Sequence, residues 1–278
     1  MNSFSWPQLA AVSASGLLAV AALQLCTFLV GRRIGRYNVV DVSWGLGFVL
    51  VALVAATVGD GYGPRRWLVL VLVAIWGLRL SWHMHRKSAG EGEDPRYVDM
   101  LERSGGNSTP VVLRKIFATQ GLAQWFVSLP LQVSAVSGPT TGIGTAILTL
   151  GVLVWAVGVV FESVGDRQLE RFKADPDARS RVSGHRIMDS GLWAWTRHPN
   201  YFGDACVWWG LWLVAASVWP GAVTVLSPAV MTWFLVYATG ARLLEKSMVD
   251  RPGYREYQER TSFFVPRPPR TPESRGHS

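Results

Sequence analysis

The sequence predicts an all-α integral membrane protein: a seven-transmembrane-helix bundle with its N-terminus outside and its C-terminus in the cytoplasm. Three observations predict it. Of the 278 residues 49% are hydrophobic and only 17% charged, and the two classes are sorted into alternating stretches, which a soluble core would not require. Seven apolar stretches, 7–30, 38–58, 66–84, 115–136, 140–163, 201–219 and 222–244, are each long enough to cross about 30 Å of hydrocarbon as helix. The cations are also segregated: 23 of the 27 Lys and Arg fall in 31–37, 85–115, 164–200 and 245–278. The positive-inside rule places those segments in the cytoplasm, and opposite ends on opposite sides need an odd number of spans. The net charge of +8 is thus a property of one face.

Each stretch has its own justification. In the first, Met1 to Gln8 carry no side-chain charge and Arg32, Arg33 and Arg36 follow the apolar run. That is the order of a stop-transfer segment and not of a cleaved leader. Asp41 opens the second. The third carries Trp76, Arg79, His83 and Arg86 on one helical face. The fourth is the weakest, interrupted by Gln120, Gln124 and Pro130. The fifth runs out through Glu162, Asp166 and Glu170, a four-residue period that reads as a solvated, ion-paired face. The sixth starts at Pro199, a residue suited to a first helical turn. The seventh ends with Arg242 and Glu245 near its cytoplasmic end. Residues 1–265 read as one domain and 266–278, rich in proline, as a disordered tail. The two cysteines, Cys26 and Cys206, both lie inside apolar stretches and read as small buried hydrophobes.

Ionisable residues inside a bilayer are costly and mark function. Asp41, Arg79, His83, Asp204, Arg242 and Glu245 all fall near the cytoplasmic ends of their spans. The expectation is a polar pocket open to the cytoplasm above an apolar chamber, with no charge path across the membrane. The run Arg197-His198-Pro199-Asn200-Tyr201-x-Gly203-Asp204 puts free N–H groups and two cations at a helix start, which favours an anion. Asn200 and Asp204, one turn apart, suit a carboxamide or an amine. Arg251, Tyr254, Arg255 and Tyr257 form a basic, aromatic group fit to cover a nucleotide. Other chemistries fail on inventory. There is no GxSxG, HExxH, CxxC or P-loop motif, the histidines lack metal spacing, and no nucleic-acid motif accompanies the positive charge.

The blocks Gly191-Leu-Trp-x-Trp-x-Arg-His-Pro-Asn-Tyr-Phe-Gly-Asp, Trp208-Trp209-Gly210, Arg251-Pro-Gly-Tyr-Arg-Glu-Tyr and Thr261-Ser262-x-Phe-x-Pro266 resemble a bacterial branch of the steroid 5α-reductase-like family of integral membrane proteins. So do Asp41-x-x-Trp44-Gly45, Leu78-Arg79-x-Ser81-x-His83, Gly92-Glu93-Asp94-x-Arg96-Tyr97 and Phe161-Glu162. The resemblance covers about 38–268. It implies a seven-helix reductase of the bacterial inner membrane with NADPH in a cytoplasmic pocket. Asn200 and Asp204 would meet the nicotinamide end. Arg79, Arg197, Arg242 and tail positions such as Tyr257 would hold phosphates and adenosine. The family's steroid reductases polarise a substrate ketone with a Tyr and a Glu. On the third span the nearest match to the tyrosine is His83, and Asp41 is the counterpart of the acid.

The expected activity is therefore NADPH-dependent reduction of a conjugated C=C bond in a lipid-like substrate, steroid, isoprenoid or fatty-acyl. His83, supported by Asp41, would donate to the carbonyl oxygen, and His198, Tyr201, Glu245 and the arginines would frame the cofactor. Two other readings compete. A membrane S-adenosylmethionine-dependent methyltransferase of the isoprenylcysteine carboxyl type shares Arg-His-Pro-x-Tyr, but needs fewer arginines than a dinucleotide. A non-enzymatic lipid-binding scaffold would tolerate changes at Arg197, Asn200 and Asp204.

Overall fold

The computed structural model describes residues 4–180, 183–238 and 240–270. These are all-helical, with no β-strand among the described residues, as expected; a lone parallel bridge joins Thr196 to Ser262. In chain order the helices are α1 (Trp6–Ile34), α2 (Val40–Val58), α3 (Gly63–Ser88), α4 (Pro95–Arg103), α5 (Thr109–Val112), α6 (Thr119–Val127), α7 (Leu129–Ala135), α8 (Ile143–Ala174), α9 (Pro199–Ala216), α10 (Trp219–Ala222), α11 (Leu226–Trp233), α12 (Ala241–Met248) and α13 (Tyr254–Arg260). Short π turns at Leu113–Ala118 and Phe234–Ala238 and 3₁₀ turns at Gly191–Ala194 and Val223–Val225 join some of them.

Five runs among the described residues are long and apolar enough to cross a membrane: α1, α2, α3, α8 and Trp219–Met248. Leu18, Ile75, Leu153 and Val160 lie exposed on the outer faces of α1, α3 and α8. Large apolar side chains on the outside of long helices fit a hydrocarbon surrounding. Two of the seven expected spans are not among the five. The fourth is cut into pieces: Ser128 leaves helical geometry (φ −79°, ψ 1°), and Pro130 has no N–H to continue the ladder. The sixth, α9, is continuous over 18 residues. It carries Asn200, Asp204 and three indoles, Trp208, Trp209 and Trp212, which dilute its apolar character.

The chain divides into two compact units, Met1–Gly151 with Leu211–Ser227, and Val152–Gly210 with Pro228–Ser278. In the first, α2 packs on α3 at a glycine pair. A Cβ on Gly45 would stand 2.2 Å from the Gly77 carbonyl oxygen, so only glycine permits the contact. Gln24 Nε2 donates to Gln124 Oε1 (2.7 Å), and Gln124 Nε2 donates to the carbonyls of Ser43 and Trp44 (3.0 and 2.9 Å). Those amides tie α1, α6 and α2 by direct hydrogen bonds. At the other end of the unit Arg65, 1% exposed, donates to Ser134 Oγ, Thr140 Oγ1 and the carbonyls of Ser134 and Ser137. Arg66 donates to the carbonyls of Ala56 and Gly59 at the end of α2, where a cation complements the helix dipole. Cys26 is exposed on α1 and not buried, because its side of the helix has no neighbour to cover it; Cys206 is half-buried.

In the second unit α8 and α9 meet along Gly158 and Gly203. A Cβ on Gly203 would lie 2.5 Å from the Glu162 nitrogen. This close approach buries Glu162 (3% exposed) and Asp166 (7%), so these two are not the solvated face that their period suggested; Glu170, a turn further on, is exposed. The C-terminal stretch runs beside the start of α9. Arg197 N donates to Ser262 O (2.9 Å), Thr196 Oγ1 to Phe264 O (2.8 Å) and Arg267 N to Trp195 O (2.9 Å). Arg270 N donates to Arg260 O (2.9 Å). Of the tail 266–278, residues 271–278 lie outside the described residues.

Candidate functional site

The second unit holds most of the residues expected to bind a cofactor, in two arrangements. One is an inward network. Glu245 of α12 accepts from Arg197 Nε (2.6 Å) and Nη2 (3.2 Å), from Gln258 Nε2 (3.0 Å), and faces His198 Nε2 at 3.1 Å. Arg197 Nη1 also donates to the carbonyls of Gln258 (2.9 Å) and Thr261 (2.6 Å). Every nitrogen of this guanidinium is therefore used inside the unit, with the side chain 10% exposed. The His198 ring stacks on Tyr201 (5.7 Å between centroids, 12°) and meets Phe263 edge-on (5.5 Å). Phe263 also lies under Arg197 (5.4 Å) and Arg242 (5.9 Å). The Arg-His-Pro and Thr-Ser-x-Phe blocks are thus one packed cluster, held together by a carboxylate that neither contains.

Tyr254 and Tyr257 belong inside as well. Both are buried (2% and 3% exposed), packed with Ile187 and Met248, and their rings meet at 5.9 Å. Tyr257 Oη donates to the Trp193 carbonyl (2.6 Å). Burial pushes both phenols well above their usual pKa, so both stay neutral. Asn200 Nδ2 donates to Asp166 Oδ1 (3.1 Å), while its Oδ1 accepts from Tyr201 N (3.0 Å). Asp204, one turn along, is 8% exposed. This puts a half-buried amide on the buried Asp166 carboxylate, with the buried Asp204 one turn along α9, and Asp166 is the member that its sequence period disguised.

The second arrangement faces outward. Arg242, Arg251 and Arg255 are exposed, and Arg242 lies over the Tyr237 ring at 4.6 Å. Arg251 and Arg255 flank a cavity of about 270 Å³ formed by residues 249–253, 255 and 256. Gly253 shapes it: its φ of +82° is a left-handed conformation that favours glycine. These three are the exposed arginines of the expected set, and around Arg251 and Arg255 the cavity wall also carries the carboxylates of Asp250 and Glu256.

The first unit holds Asp41, Arg79 and His83. Arg79 and His83 are half-buried on α3, after the fully buried Trp76 and before the exposed Arg86, so exposure rises along the expected face. Asp41 is the centre of a polar group. Tyr97 Oη donates to Asp41 Oδ1 (2.6 Å), and Arg96 Nη2 stands 3.6 Å from Asp41 Oδ2. Arg96 is itself held by Asp94 through Nε (3.1 Å) and Nη2 (2.7 Å). Burial, together with the Asp41 charge, pushes the Tyr97 phenol well above its usual pKa. Burial works to raise the Asp94 carboxyl, but the Arg96 hydrogen bonds overrule it and hold that carboxyl below its usual value. Glu93 accepts from the backbone N–H groups of Tyr37, Asn38 (2.9 Å) and Asp94 (3.1 Å), which ties this loop to the start of α2. Tyr97 is the residue that attention to the spans missed. It lies on the amphipathic helix α4, outside any apolar stretch, and its one signal was its place in the Gly-Glu-Asp-x-Arg-Tyr block.

Among the described residues no group of three His, Cys, Asp or Glu is placed to hold a metal ion. The chain matches the family described as "Protein of unknown function (DUF1295)" over residues 27–261. It is also similar to an uncharacterized protein of Schizosaccharomyces pombe, 24% identical over 273 residues, covering 87% of this chain and 78% of that one. No solved structure matches. The match to the family takes in α2 to α13, with Asp41, Tyr97, Arg197, His198 and Glu245 among its residues, and the chain belongs to the DUF1295 family.

Proposed function

We propose that this protein is a membrane-embedded, NADPH-dependent reductase of a conjugated C=C bond in a lipid-like substrate, akin to the steroid 5α-reductase-like enzymes that its motifs resemble. The observation that carries the reading is the Tyr97–Asp41 pair: a neutral phenol 2.6 Å from a carboxylate in a polar group beside an apolar span. A phenol has a single O–H, which can turn from Asp41 to a carbonyl oxygen as negative charge grows there, and such donors contribute about 10²–10³-fold to rate. A methyl transfer to a carboxylate has no use for that donor. In this reading Tyr97 takes the donor role that the sequence offered to His83: its O–H leaves Asp41 for the substrate, and Arg96, 3.6 Å from Asp41 Oδ2, offsets the carboxylate charge then uncovered.

When bound, NADPH supplies the hydride. Arg242, Arg251 and Arg255 suit its phosphates, and Asn200 with Asp204 its carboxamide end. Arg197 and His198 act behind them, fixing Glu245 and the C-terminal stretch. The long apolar helices suit a lipid-like substrate. The same reading has α9 and the segment 115–136 complete a seven-span bundle in a bacterial inner membrane, C-terminus and cofactor residues on the cytoplasmic side. The exposed cations of the 245–270 stretch support that side. One observation favours the methyltransferase instead: with Arg197 spent on Glu245, fewer arginines remain for a dinucleotide.

The test is NADPH oxidation by the detergent-purified protein against a panel of α,β-unsaturated sterols, polyprenyl compounds and enoyl lipids. Turnover should fall about 10²–10³-fold in Tyr97→Phe while NADPH affinity is unchanged. Full activity in Tyr97→Phe sinks the assignment.

A further inference from the structure

The ends of α2 and α3 and the loop into α4 enclose a cavity of about 220 Å³, lined by Asn38, Asp41, Lys87, Glu91, Asp94 and Arg96 among others. Its charge opposes that of the chain. Four lining carboxylates, those of Asp41, Glu91, Glu93 and Asp94, face two cations, Lys87 and Arg96, which leaves an excess of two negative charges in a protein of net charge +8. Arg96 is already held by Asp94, and Lys87 is exposed. The C-terminal end of the 26-residue α3 adds roughly half a negative charge.

Two acceptors carried by lining residues are uncommitted. Asn38, 6% exposed, has its amide nitrogen on the Gly92 carbonyl (2.9 Å), but its Oδ1 has no hydrogen-bond partner among the described residues. A buried amide oxygen left so is costly and calls for a donor. Asp41 Oδ1 receives Tyr97, whereas Oδ2 has only the Arg96 contact at 3.6 Å, beyond hydrogen-bond length, and the side chain keeps 29% of its exposure. Residues 38 and 41 are one turn apart at the start of α2. A metal ion is a poor occupant, since no metal-holding group exists among the described residues. An anion is opposed by the charge. Room for about seven waters, at roughly 30 Å³ each, matches a small organic group.

We propose that this cavity binds a primary ammonium group, carried by a free small amine or by an aminophospholipid headgroup. The ammonium donates to Asp41 Oδ2 and Asn38 Oδ1, and its charge offsets the carboxylate excess. The site shares Asp41 and Arg96 with the reductase reading, but its readout is amine binding and not turnover, so either can fail alone.

The probe is ethanolamine, with ethylene glycol as its neutral counterpart, titrated by calorimetry and thermal shift into full-length protein in maltoside micelles. Ethanolamine should bind saturably at millimolar affinity or tighter and raise the unfolding midpoint, and ethylene glycol should do neither. Asp41→Asn should weaken ethanolamine at least tenfold. Glu91→Gln, at an exposed position where folding is not at stake, should weaken it two- to threefold. Nanodiscs separate the two sources. Ethanolamine that binds in phosphatidylglycerol discs but is blocked in phosphatidylethanolamine discs identifies the headgroup; equal binding in both identifies a free amine. No saturable binding, equal binding of ethylene glycol, or unchanged affinity in both Glu91→Gln and a folded Asp41→Asn would overturn the proposal.

Discussion

Glu245→Gln is the substitution with the largest expected effect on stability in the second unit. It keeps the side-chain shape but replaces a carboxylate that receives two Arg197 hydrogen bonds, one from Gln258, and the His198 ring. The pair is well enclosed, with side-chain exposures of 10% for Arg197 and 14% for Glu245. Removing one partner of a buried pair costs about 3–5 kcal/mol, because the other charge is left uncompensated. The carbonyls of Gln258 and Thr261 still hold Arg197 Nη1, so the lower end, about 3 kcal/mol, is expected. In a domain of this size that lowers the melting midpoint by roughly 6–12 °C. The assay is thermal unfolding in maltoside, followed by tryptophan fluorescence. A double-mutant cycle with Arg197→Met should return a coupling of about 2 kcal/mol. Arg251→Ala, at an exposed position, should stay within about 0.5 kcal/mol of the parent. A Glu245→Gln protein that melts with the parent, or an Arg251→Ala protein that loses as much, would refute the division into inward and outward arginines.

Gly45→Ala should lower stability by about 1–3 kcal/mol in the same assay, since its methyl would meet backbone at the Gly77 carbonyl. Asp94, whose folded carboxyl is held below its usual value by Arg96, stabilises the first unit fully above the unfolded pKa of about 3.9. That contribution disappears as pH falls through the lower folded value, so Asp94→Asn should flatten the acid limb of the stability curve while leaving its neutral part less stable. Arg242→Ala should leave the melting midpoint within about 2 °C, since the side chain is exposed, yet weaken NADPH. Equal NADPH affinity in that variant would remove Arg242 from the cofactor set.

Hydrophobic run length made α1, α2, α3 and α8 legible, because a helix in lipid needs little else. It failed at 115–136, where a window average smooths over Ser128 and Pro130, two residues that break the ladder locally. The motif blocks were legible as blocks but not as contacts. Arg197 lies 48 residues from Glu245 and Tyr97 lies 56 from Asp41, and nothing in spacing tells a guanidinium whether it will meet a phosphate or a carboxylate. The four-residue period of Glu162 and Asp166 describes a helix face correctly. What covers that face is decided by Gly158 and Gly203, whose missing side chains bring α9 against it. Tyr254 and Tyr257 show the same limit: their spacing places them together, and only the packing with Ile187 turns them inward.

The proposed NADPH site lies in the second unit. Calorimetric titration of NADPH into the detergent-purified protein tests it most directly. The expected dissociation constant is in the micromolar range, with binding lost in Asn200→Ala or Asp204→Ala. Absence of NADPH binding, with S-adenosylhomocysteine binding in its place, would contradict it.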